Sequence, residues 1–435
     1  MFTILFTKTP LLFLVQSFWR DEAFTWLLAK QNIFDLFVYT AKDFNPPLYY
    51  LIIHYWIKFF GSSEISLRTV SFIFYWATIY CVYLFLIHIF KIAHKRTWLY
   101  IVLVAVNPIL LYYAFEARMY TMLAFFSTLS FYSFLKQNNK IFFIAVVLGL
   151  YTHYFMVFVL AAILLYRYFT QEKKYLKKLL MQFSAPLFVF IPWLLLVLKV
   201  KDFSSQSFWI EKSTITTLSQ LTTTLYTGYE NSYQIYGNLI SGISLGATFL
   251  IGCMIAYVLK RKFVKNKLLV LLIVWSFGIP IFAILVSFVK PIFFPRYFIF
   301  STVGLLLLIF CLLEYIPVRV RIGILCVLFI ATFGFLKLQL KYKQKSDLRK
   351  IFREIKYLSK PYDVVYVTTE LDYFTAQYYF DENRVYVYGK TSEEIPTYVG
   401  KVLIPKEKFA SSLPIYPKKA FILTSDSHYE IQAAR

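Results

Sequence analysis

The chain has 435 residues, of which 59% are hydrophobic and 21% aromatic, and its formal net charge is +23. A soluble protein cannot bury that much apolar surface, so the composition predicts a polytopic membrane protein. The basic residues fall mainly in short runs between apolar segments, which is typical of orientation signals and not of a nucleic-acid-binding surface. The four cysteines lie in apolar segments without a CxxC pair, which argues against a disulfide framework and a thiolate metal site.

Apolar segments predict about eleven membrane-spanning helices, since a span needs about 20 residues. The predicted spans are 2–19, 66–90, 98–114, 118–135, 141–152, 154–169, 183–200, 236–259, 268–289, 297–315 and 320–338. The first is predicted to be a retained helix and not a cleaved signal peptide, because it lacks a small-residue cleavage site. The fifth is the shortest and could merge with the sixth.

The basic runs support this count. They all fall on one side of the membrane when eleven spans are drawn, and they are 91–96, 136–140, 167–178, 260–267 and 319–321. The positive-inside rule makes that side cytoplasmic. Merging the fifth and sixth spans would move the later runs to the opposite side. We therefore expect a cytoplasmic N-terminus and an extracytoplasmic tail.

Two outer loops have a distinct composition. The loop 20–65 contains segments 23–38 and 47–60, whose dense aromatic residues predict two amphipathic helices in the membrane interface. The stretch 213–227 is rich in Thr and lacks long apolar runs, so we predict a mobile outer loop there.

The composition changes after residue 339, where charged and apolar residues alternate. The pattern predicts an amphipathic helix over 347–358, a helix over 373–380, and strands at 363–367, 384–388 and 420–423. We therefore divide the chain into a membrane core, 1–340, and a small extracytoplasmic α/β domain, 341–435. This tail has no Gly-rich phosphate loop, so nothing in it indicates nucleotide binding.

Polar residues recur at the predicted outer ends of the spans. The candidates are Asp21, Glu22, Asn45, Tyr49, Arg68, Glu116, Arg118, Tyr120, His153, Arg296 and Tyr297. Each also has a structural explanation, such as a snorkelling arginine or an interfacial tyrosine. Gathered in one cavity, however, carboxylates could take a proton from a hydroxyl while arginines neutralise a departing phosphate. A membrane-borne donor is favoured over a soluble nucleotide sugar, because no nucleotide-binding loop faces the cytoplasm.

The order of these motifs resembles that of the bacterial GT-C glycosyltransferases. The motifs are Trp-Arg-Asp-Glu-Ala, Asn-Pro-Pro-Leu-Tyr-Tyr, Glu-Ile-Ser-Leu-Arg-Thr-Val-Ser, Glu-Ala-Arg-Met-Tyr, Tyr-Thr-His-Tyr-Phe and Pro-Arg-Tyr, spread over roughly residues 15–300. This family is related to the protein O-mannosyltransferases and the lipid A aminoarabinose transferase. The resemblance implies an all-α membrane GT-C fold, and its tail is similar to the extracytoplasmic domain that often follows that core.

The resemblance also implies roles for individual residues. Asp21 matches the family's first-loop base, with Glu22 beside it, and Arg68, Arg118 and Arg296 match arginines expected to meet the donor phosphate. We expect the remaining candidates to line the substrate cavity: Asn45, Tyr49, Glu116, Tyr120, His153 and Tyr297. Relatives usually have His where Asn45 stands. An amide is a poor metal ligand, so no metal or other cofactor is expected, although a divalent metal stays possible for the family.

The expected activity is an inverting glycosyl transfer, mannosyltransferase-like, of a hexose or pentose. The donor would be a polyprenyl-phosphate sugar, and the acceptor a lipid, protein or glycan hydroxyl at the outer face of the cytoplasmic membrane. A flippase or transporter of lipid-linked sugars is the first alternative, although transporters place charges near the bilayer midplane. A polysaccharide polymerase or ligase is the second, although such proteins usually carry a large outer loop late in the chain. No nucleic-acid partner is expected.

Overall fold

The computed structural model describes residues 2–170, 176–201, 209–230, 237–261, 266–424 and 428–435. Parts of the basic runs 167–178 and 260–267, and of the predicted outer loop after 201, lie outside these residues. The helices of the apolar part are α1 (Phe2–Lys8), α2 (Leu12–Val15), α3 (Arg20–Lys30), α4 (Ile33–Lys42), α5 (Leu48–Phe60), α6 (Glu64–Leu84, continued by a π-helical turn Phe85–Ile89), α7 (His94–Ala105), α8 (Pro108–Ala114), α9 (Tyr120–Leu135), α10 (Asn139–Thr152), α11 (Met156–Thr170), α12 (Leu176–Val200), α13 (Ile215–Ser219), α14 (Leu221–Thr227), α15 (Gly237–Lys260), α16 (Asn266–Ile273), α17 (Ile279–Ser287), α18 (Ile299–Leu313) and α19 (Val318–Tyr342).

All eleven predicted apolar segments are largely helical, and the protein is a multi-pass membrane protein. Among the described residues, six helices are long and apolar enough to cross a membrane, or seven if α7 and α8, bent by 64°, form one span. Helices α9, α10 and α11 are apolar but shorter. The break between α10 and α11 keeps the fifth and sixth predicted segments separate. The exact number of crossings stays a prediction.

The first predicted span is not one continuous helix. It is divided into α1 and α2 by a turn at Pro10, which has no N–H to continue the helical hydrogen bonds. Other apolar helices pack around α18, whose most apolar stretch has 94% of its residues buried. The corresponding stretches of α15 and α19 have only 22% of their residues buried. Helix α18 is therefore central, and α15 and α19 present most of their surface to lipid.

The first outer loop contains three helices where two were predicted. The segment 23–38 is divided between α3 and α4, because the Asn32 side chain accepts a hydrogen bond from the Asp35 N–H at 2.9 Å and begins a new helix. Helix α3 is buried on all sides from Glu22 to Ala29, so it does not lie on a surface as an amphipathic helix. Helices α4 and α5 do expose large apolar side chains, such as Phe34 and Phe59.

The stretch 213–227 is not the loop that its Thr content suggested. It forms α13 and α14, and every residue of α14 is buried. The carbonyl of Leu225 accepts a hydrogen bond from the Thr302 hydroxyl at 2.6 Å, and that of Tyr226 accepts one from the Asn107 amide at 2.8 Å. The Thr222 and Thr248 hydroxyls share a hydrogen bond at 2.5 Å, and the Thr227 hydroxyl donates to the Thr223 carbonyl at 2.6 Å. Polar residues can thus be buried when they form hydrogen bonds inside the bundle, and the Thr content did not indicate solvent exposure.

The tail forms a five-stranded sheet flanked by helices. Its elements are α20 (Leu348–Leu358), β1 (Val364–Val367), α21 (Tyr373–Tyr379), β2 (Val385–Tyr388), β3 (Phe409–Ala410), β4 (Ala420–Leu423) and β5 (Tyr429–Gln432). The strand order is β3-β2-β1-β4-β5, with β5 alone antiparallel to its neighbour. The predicted helices and the strands β1, β2 and β4 are confirmed. Strands β3 and β5 were missed because β3 has two residues and β5 is largely exposed.

The sheet unit docks on the first outer loop. Helices α3 and α5 share one apolar cluster with α20, α21 and the sheet. The ring of Phe24 packs edge-on against Phe374 with centroids 5.4 Å apart, and Trp26 packs against Tyr378 at 5.0 Å. This packing explains why α3 is buried on all sides, and it places the tail beside the Asp-Glu pair.

Candidate active site

A cavity of about 470 Å³ opens between the membrane helices and the tail. Its lining includes residues from the first loop, from the starts or ends of several helices, and from the tail segment 397–400. The polar lining residues are Arg20, Asp21, Asp43, Asn45, Arg118, His153, Tyr154, Lys201, Lys290, Arg296, Tyr297, Thr397 and Tyr398. Among the described residues, five cations and two carboxylates therefore face one space, which favours an anionic ligand.

Asp21 lies in the first turn of α3 and is held by two arginines. Its carboxylate is 3.2 Å from Arg20 Nε and 3.6 Å from Arg296 Nη2. Burial opposes its ionisation, but the charges of Arg118, Arg296 and Arg20 outweigh burial and lower the pKa of Asp21 to about 2. Asp21 is therefore a permanent negative charge that holds guanidinium groups around the cavity.

Arg296 stands in a short 3-10 turn, Pro295–Phe298, immediately before α18. Its guanidinium carbon lies 4.8 to 5.8 Å from the ring centres of Trp19, Tyr120, Trp209, Phe294 and Tyr297. Faces of aromatic rings stabilise a cation and limit its motion. The aromatic surroundings therefore hold this guanidinium in place in the cavity wall.

Arg118 lies between α8 and α9, and it donates hydrogen bonds to uncharged oxygens. Its Nη1 donates to the Tyr50 hydroxyl at 3.1 Å, to the Thr25 hydroxyl at 3.3 Å and to the Asp21 carbonyl at 3.4 Å. Within the described part of the chain, no carboxylate forms an ion pair with it. Its charge is thus less compensated than that of Arg296, which makes it the stronger candidate for an added anion.

Glu22 and Arg68 do not line the cavity. Both side chains are fully buried, and Arg68 donates to the two Glu22 carboxylate oxygens at 2.7 and 2.8 Å. Arg68 also donates to the carbonyls of Leu14, Gln16 and Ser17. Lys345 Nζ lies 2.8 Å from Glu22. Arg68 thus contacts only groups inside the protein. Glu22 directly follows Asp21 in α3, but its side chain points away from the cavity and meets Arg68 in the interior.

Three further candidates also lie behind the cavity wall. The Tyr49 and Ser71 hydroxyls share a hydrogen bond at 2.8 Å, and Tyr120 packs beside Arg296. Glu116 is buried, and its carboxylate oxygens have no hydrogen-bond partner among the described residues. Burial is the main reason that the pKa of Glu116 is raised to about 7.

Asn45, His153 and Tyr297 line the cavity. The Nδ1 atom of His153 accepts the Phe155 N–H at 3.1 Å, so its other ring nitrogen carries the proton. Burial, together with the charges of Arg118 and Arg296, lowers the pKa of His153 to about 3. The imidazole is therefore neutral and can only donate a hydrogen bond into the cavity.

The sequence analysis missed four charged lining residues: Arg20, Asp43, Lys201 and Lys290. A signal for the two lysines existed, because both follow predicted spans at the outer side, where the positive-inside rule makes lysine less common. Asp43 lies two residues before Asn45, inside a predicted loop without periodicity. Among the described residues, no three His, Cys, Asp or Glu side chains are grouped so as to hold a metal ion.

The chain has the fold of a membrane GT-C enzyme. Two crystal structures share it, both of ArnT from Cupriavidus metallidurans, the lipid A aminoarabinose transferase. The apo structure aligns with a TM-score of 0.66 and the structure bound to undecaprenyl phosphate with 0.64, each at 12% identity and over 98% of this chain and 93% of the other. No family model and no curated protein matches the sequence. The resemblance drawn from the motifs is thus confirmed for the fold.

Proposed function

We propose that the protein is a glycosyltransferase that moves a sugar from a polyprenyl-phosphate donor to a hydroxyl acceptor at the outer face of the cytoplasmic membrane. The observation that carries the proposal is the cavity, where five cations and two carboxylates of the described residues meet in a GT-C fold. Transfer from a phosphate leaving group requires cations for the charge that develops on the phosphate and a base for the acceptor proton. The cavity supplies both.

The donor phosphate fits best among Arg118, Arg296, Lys201 and Lys290. Arg118 and Arg296 are buried and oriented, so little reorganisation accompanies the reaction. The solved ArnT complex contains undecaprenyl phosphate, which supports a lipid phosphate as the ligand of this fold. Arg68 was predicted to share this role, but its buried contacts with Glu22 favour a structural one.

The sugar would be transferred with inversion, because a single displacement needs only a base and a departing phosphate. The acceptor proton requires a carboxylate, and the described cavity wall offers Asp21 and Asp43. Asp21 is the predicted catalytic residue of the two, with Glu22 supporting it from the protein interior. We also propose eleven crossings, a cytoplasmic N-terminus, a core over 1–340 and an extracytoplasmic domain over 341–435, since that arrangement keeps the cavity and the tail on one face.

A transporter of lipid-linked sugars is the second candidate. The cations cluster at one end of the helices, beside the first loop and the tail, whereas a transport site near the middle of the spans would need charges there. The observed clustering therefore favours chemistry at one face over passage across the membrane. A polymerase or ligase would share this chemistry and differ only in its acceptor.

The test uses the purified protein in lipid nanodiscs with a polyprenyl-phosphate sugar labelled in its sugar. Label is expected on the acceptor, with release of polyprenyl phosphate. Arg118→Ala and Arg296→Ala should each lower transfer by at least about tenfold, since charge-assisted hydrogen bonds contribute about 1.5–3 kcal/mol. The matched control is Arg319→Ala, an exposed arginine near the opposite end of α18, which should transfer normally. Movement of label across liposomes without phosphate release would contradict the proposal.

A further inference from the structure

The tail contributes a short 3-10 turn, Thr397–Val399, to the wall of the cavity. The turn ends at Gly400, where φ is +82° and an added Cβ would lie 2.6 Å from the ring of Phe24. Phe24 follows Asp21 by three residues in α3, so both side chains lie on one side of that helix, and both line the cavity. The tail turn is therefore seated directly on the helix that carries the predicted base.

Tyr398 presents an open aromatic ring from this turn. Its side chain is 39% exposed although it lines a concave wall. Within the part of the chain that the structure describes, it forms no hydrogen bond, ion pair or ring contact. By contrast, Tyr49 and Tyr120 are buried behind the same wall. The ring of Tyr398 is thus free to pack against a ligand, and large aromatic rings contribute strongly to binding.

A second aromatic ring, that of Phe44, lines the cavity directly after α4 and has an unfavourable backbone conformation. Its φ is +60°, which bulky residues rarely adopt and which persists where the surrounding structure enforces it, often at ligand sites. The Tyr154 ring stacks on it with centroids 4.6 Å apart, and Lys201 Nζ lies 5.3 Å from its centre. The Phe44 side chain is nevertheless 46% exposed. Since α4 also contacts the tail segment Lys401–Leu403, Phe44 and Tyr398 come from elements that pack together.

Polar groups accompany both rings. Asp43 and Asn45 flank Phe44, Thr397 precedes Tyr398, and all of them line the cavity. A sugar ring has polarised C–H groups on its faces, which the negative face of an aromatic ring attracts, and hydroxyls at its edge, which need both donors and acceptors. A peptide is more commonly bound along a strand edge or in an apolar groove, and no strand of the sheet contributes to the described lining. The combination therefore favours a saccharide.

We propose that Tyr398 and Phe44 determine acceptor specificity, and that the acceptor is a saccharide whose ring packs against Tyr398. This inference rests on the proposed glycosyl transfer and keeps Asp21 as the base. The donor phosphate is expected at Arg118 and Arg296 and its prenyl chain stays in the bilayer, so the acceptor is the substrate that meets the tail. An acceptor hydroxyl oxygen bonds to the anomeric carbon of the donor sugar, and its proton moves to Asp21. The bond from that carbon to the phosphate oxygen breaks, and polyprenyl phosphate leaves with the electron pair.

The experiment measures kcat and the separate KM values for donor and acceptor. It uses the purified protein in lipid nanodiscs, the labelled donor, a panel of soluble oligosaccharides and a library of Ser- and Thr-containing peptides. We expect label on saccharides. Tyr398→Ala and Phe44→Gly should each raise the acceptor KM about three- to tenfold, the contribution of one aromatic contact, and leave kcat and the donor KM unchanged. Tyr398→Phe keeps the ring and should behave like the wild type, and glycine at position 44 adopts the same φ without strain.

The matched controls are Tyr357→Ala, at an exposed tyrosine of the tail, and Phe34→Ala, at an exposed phenylalanine of α4, both outside the cavity lining. Both should keep the acceptor KM of the wild type. The inference fails if the acceptor KM is unchanged in either test variant, if the donor KM rises instead, if the controls show the same rise, or if label reaches only peptides. Should Phe44→Gly not fold, the comparison of Tyr398→Ala with Tyr398→Phe decides the question. Absence of both transfer and polyprenyl phosphate release contradicts the proposed function itself, whereas transfer to saccharides with unchanged KM values contradicts only this inference.

Discussion

Replacing Glu22 should destabilise the whole protein, because two buried cations, Arg68 and Lys345, then lose the only carboxylate that pairs with them in the described structure. Its oxygens accept from Arg68 at 2.7 and 2.8 Å, from Lys345 at 2.8 Å and from the Ala117 N–H at 2.9 Å. Arg68 comes from α6 and Lys345 from the connection between α19 and α20. One carboxylate therefore joins the first loop, the membrane core and the tail.

The size of the loss in unfolding free energy depends on which charge stays without a partner. Breaking a buried ion pair by removing one partner costs about 3–5 kcal/mol. In Glu22→Ala, Lys345 can lose its proton, since burial already lowers its pKa, whereas the Arg68 guanidinium stays charged. We expect a loss of about 3–5 kcal/mol for Glu22→Ala. Lys345→Met should cost less, about 1.5–3 kcal/mol, because the pair between Glu22 and Arg68 remains.

Denaturant unfolding in detergent micelles, followed by tryptophan fluorescence, measures these differences, with unfolding rates as a second measure if refolding fails. The double variant Glu22→Leu, Arg68→Leu removes both charges and should lose less than the two single changes together. The reasoning is refuted if Glu22→Ala lies within about 1 kcal/mol of the wild type, or if Lys345→Met is the more damaging change.

Three further predictions concern packing and donor binding. Gly304→Ala places a Cβ 2.8 Å from the Trp275 ring and should cost about 1–3 kcal/mol in unfolding free energy, measured as above. Gly400→Val adds a side chain at φ +82°, 2.6 Å from the Phe24 ring in the cavity wall, and should lower stability and raise KM for the acceptor. Lys201→Ala should raise KM for the donor by about tenfold or more, with a smaller effect at high salt.

Each of these changes has a matched control in the chain. Gly252→Ala introduces the same methyl group in α15, where nothing lies within 4 Å, and should be neutral. Gly389 has a similar φ of +72°, but no atom lies within 4 Å of an added Cβ. Gly389→Val therefore measures the cost of backbone strain without the clash that Gly400→Val has with Phe24. Lys95→Ala removes an exposed lysine in the first turn of α7, outside the cavity lining, and should leave KM unchanged. Equal effects in a variant and its control would contradict the corresponding prediction.

Local patterns were enough for much of the fold. Hydropathy located every apolar segment that the structure shows as largely helical, and alternation located β1, β2 and β4, because both signals depend only on neighbouring residues. The same patterns predicted burial wrongly where contacts with distant parts of the chain, and not neighbouring residues, decide which side chains are buried. The polar segment of α14 is buried because neighbouring helices donate hydrogen bonds to it, and α3 is buried on all sides because the tail covers its outer face.

The candidate site shows the same division. The sequence determined that Asp21, Asn45, Arg118, His153 and Arg296 belong near one face, and they do line one cavity. Only the tertiary structure decided which charged groups face that cavity and which are internal. Successive residues on a helix point roughly 100° apart, so Asp21 faces the cavity while Glu22 enters the core to meet Arg68. Lys201, Lys290 and Asp43 join the site from distant segments, which is a consequence of packing that no spacing along the chain could reveal.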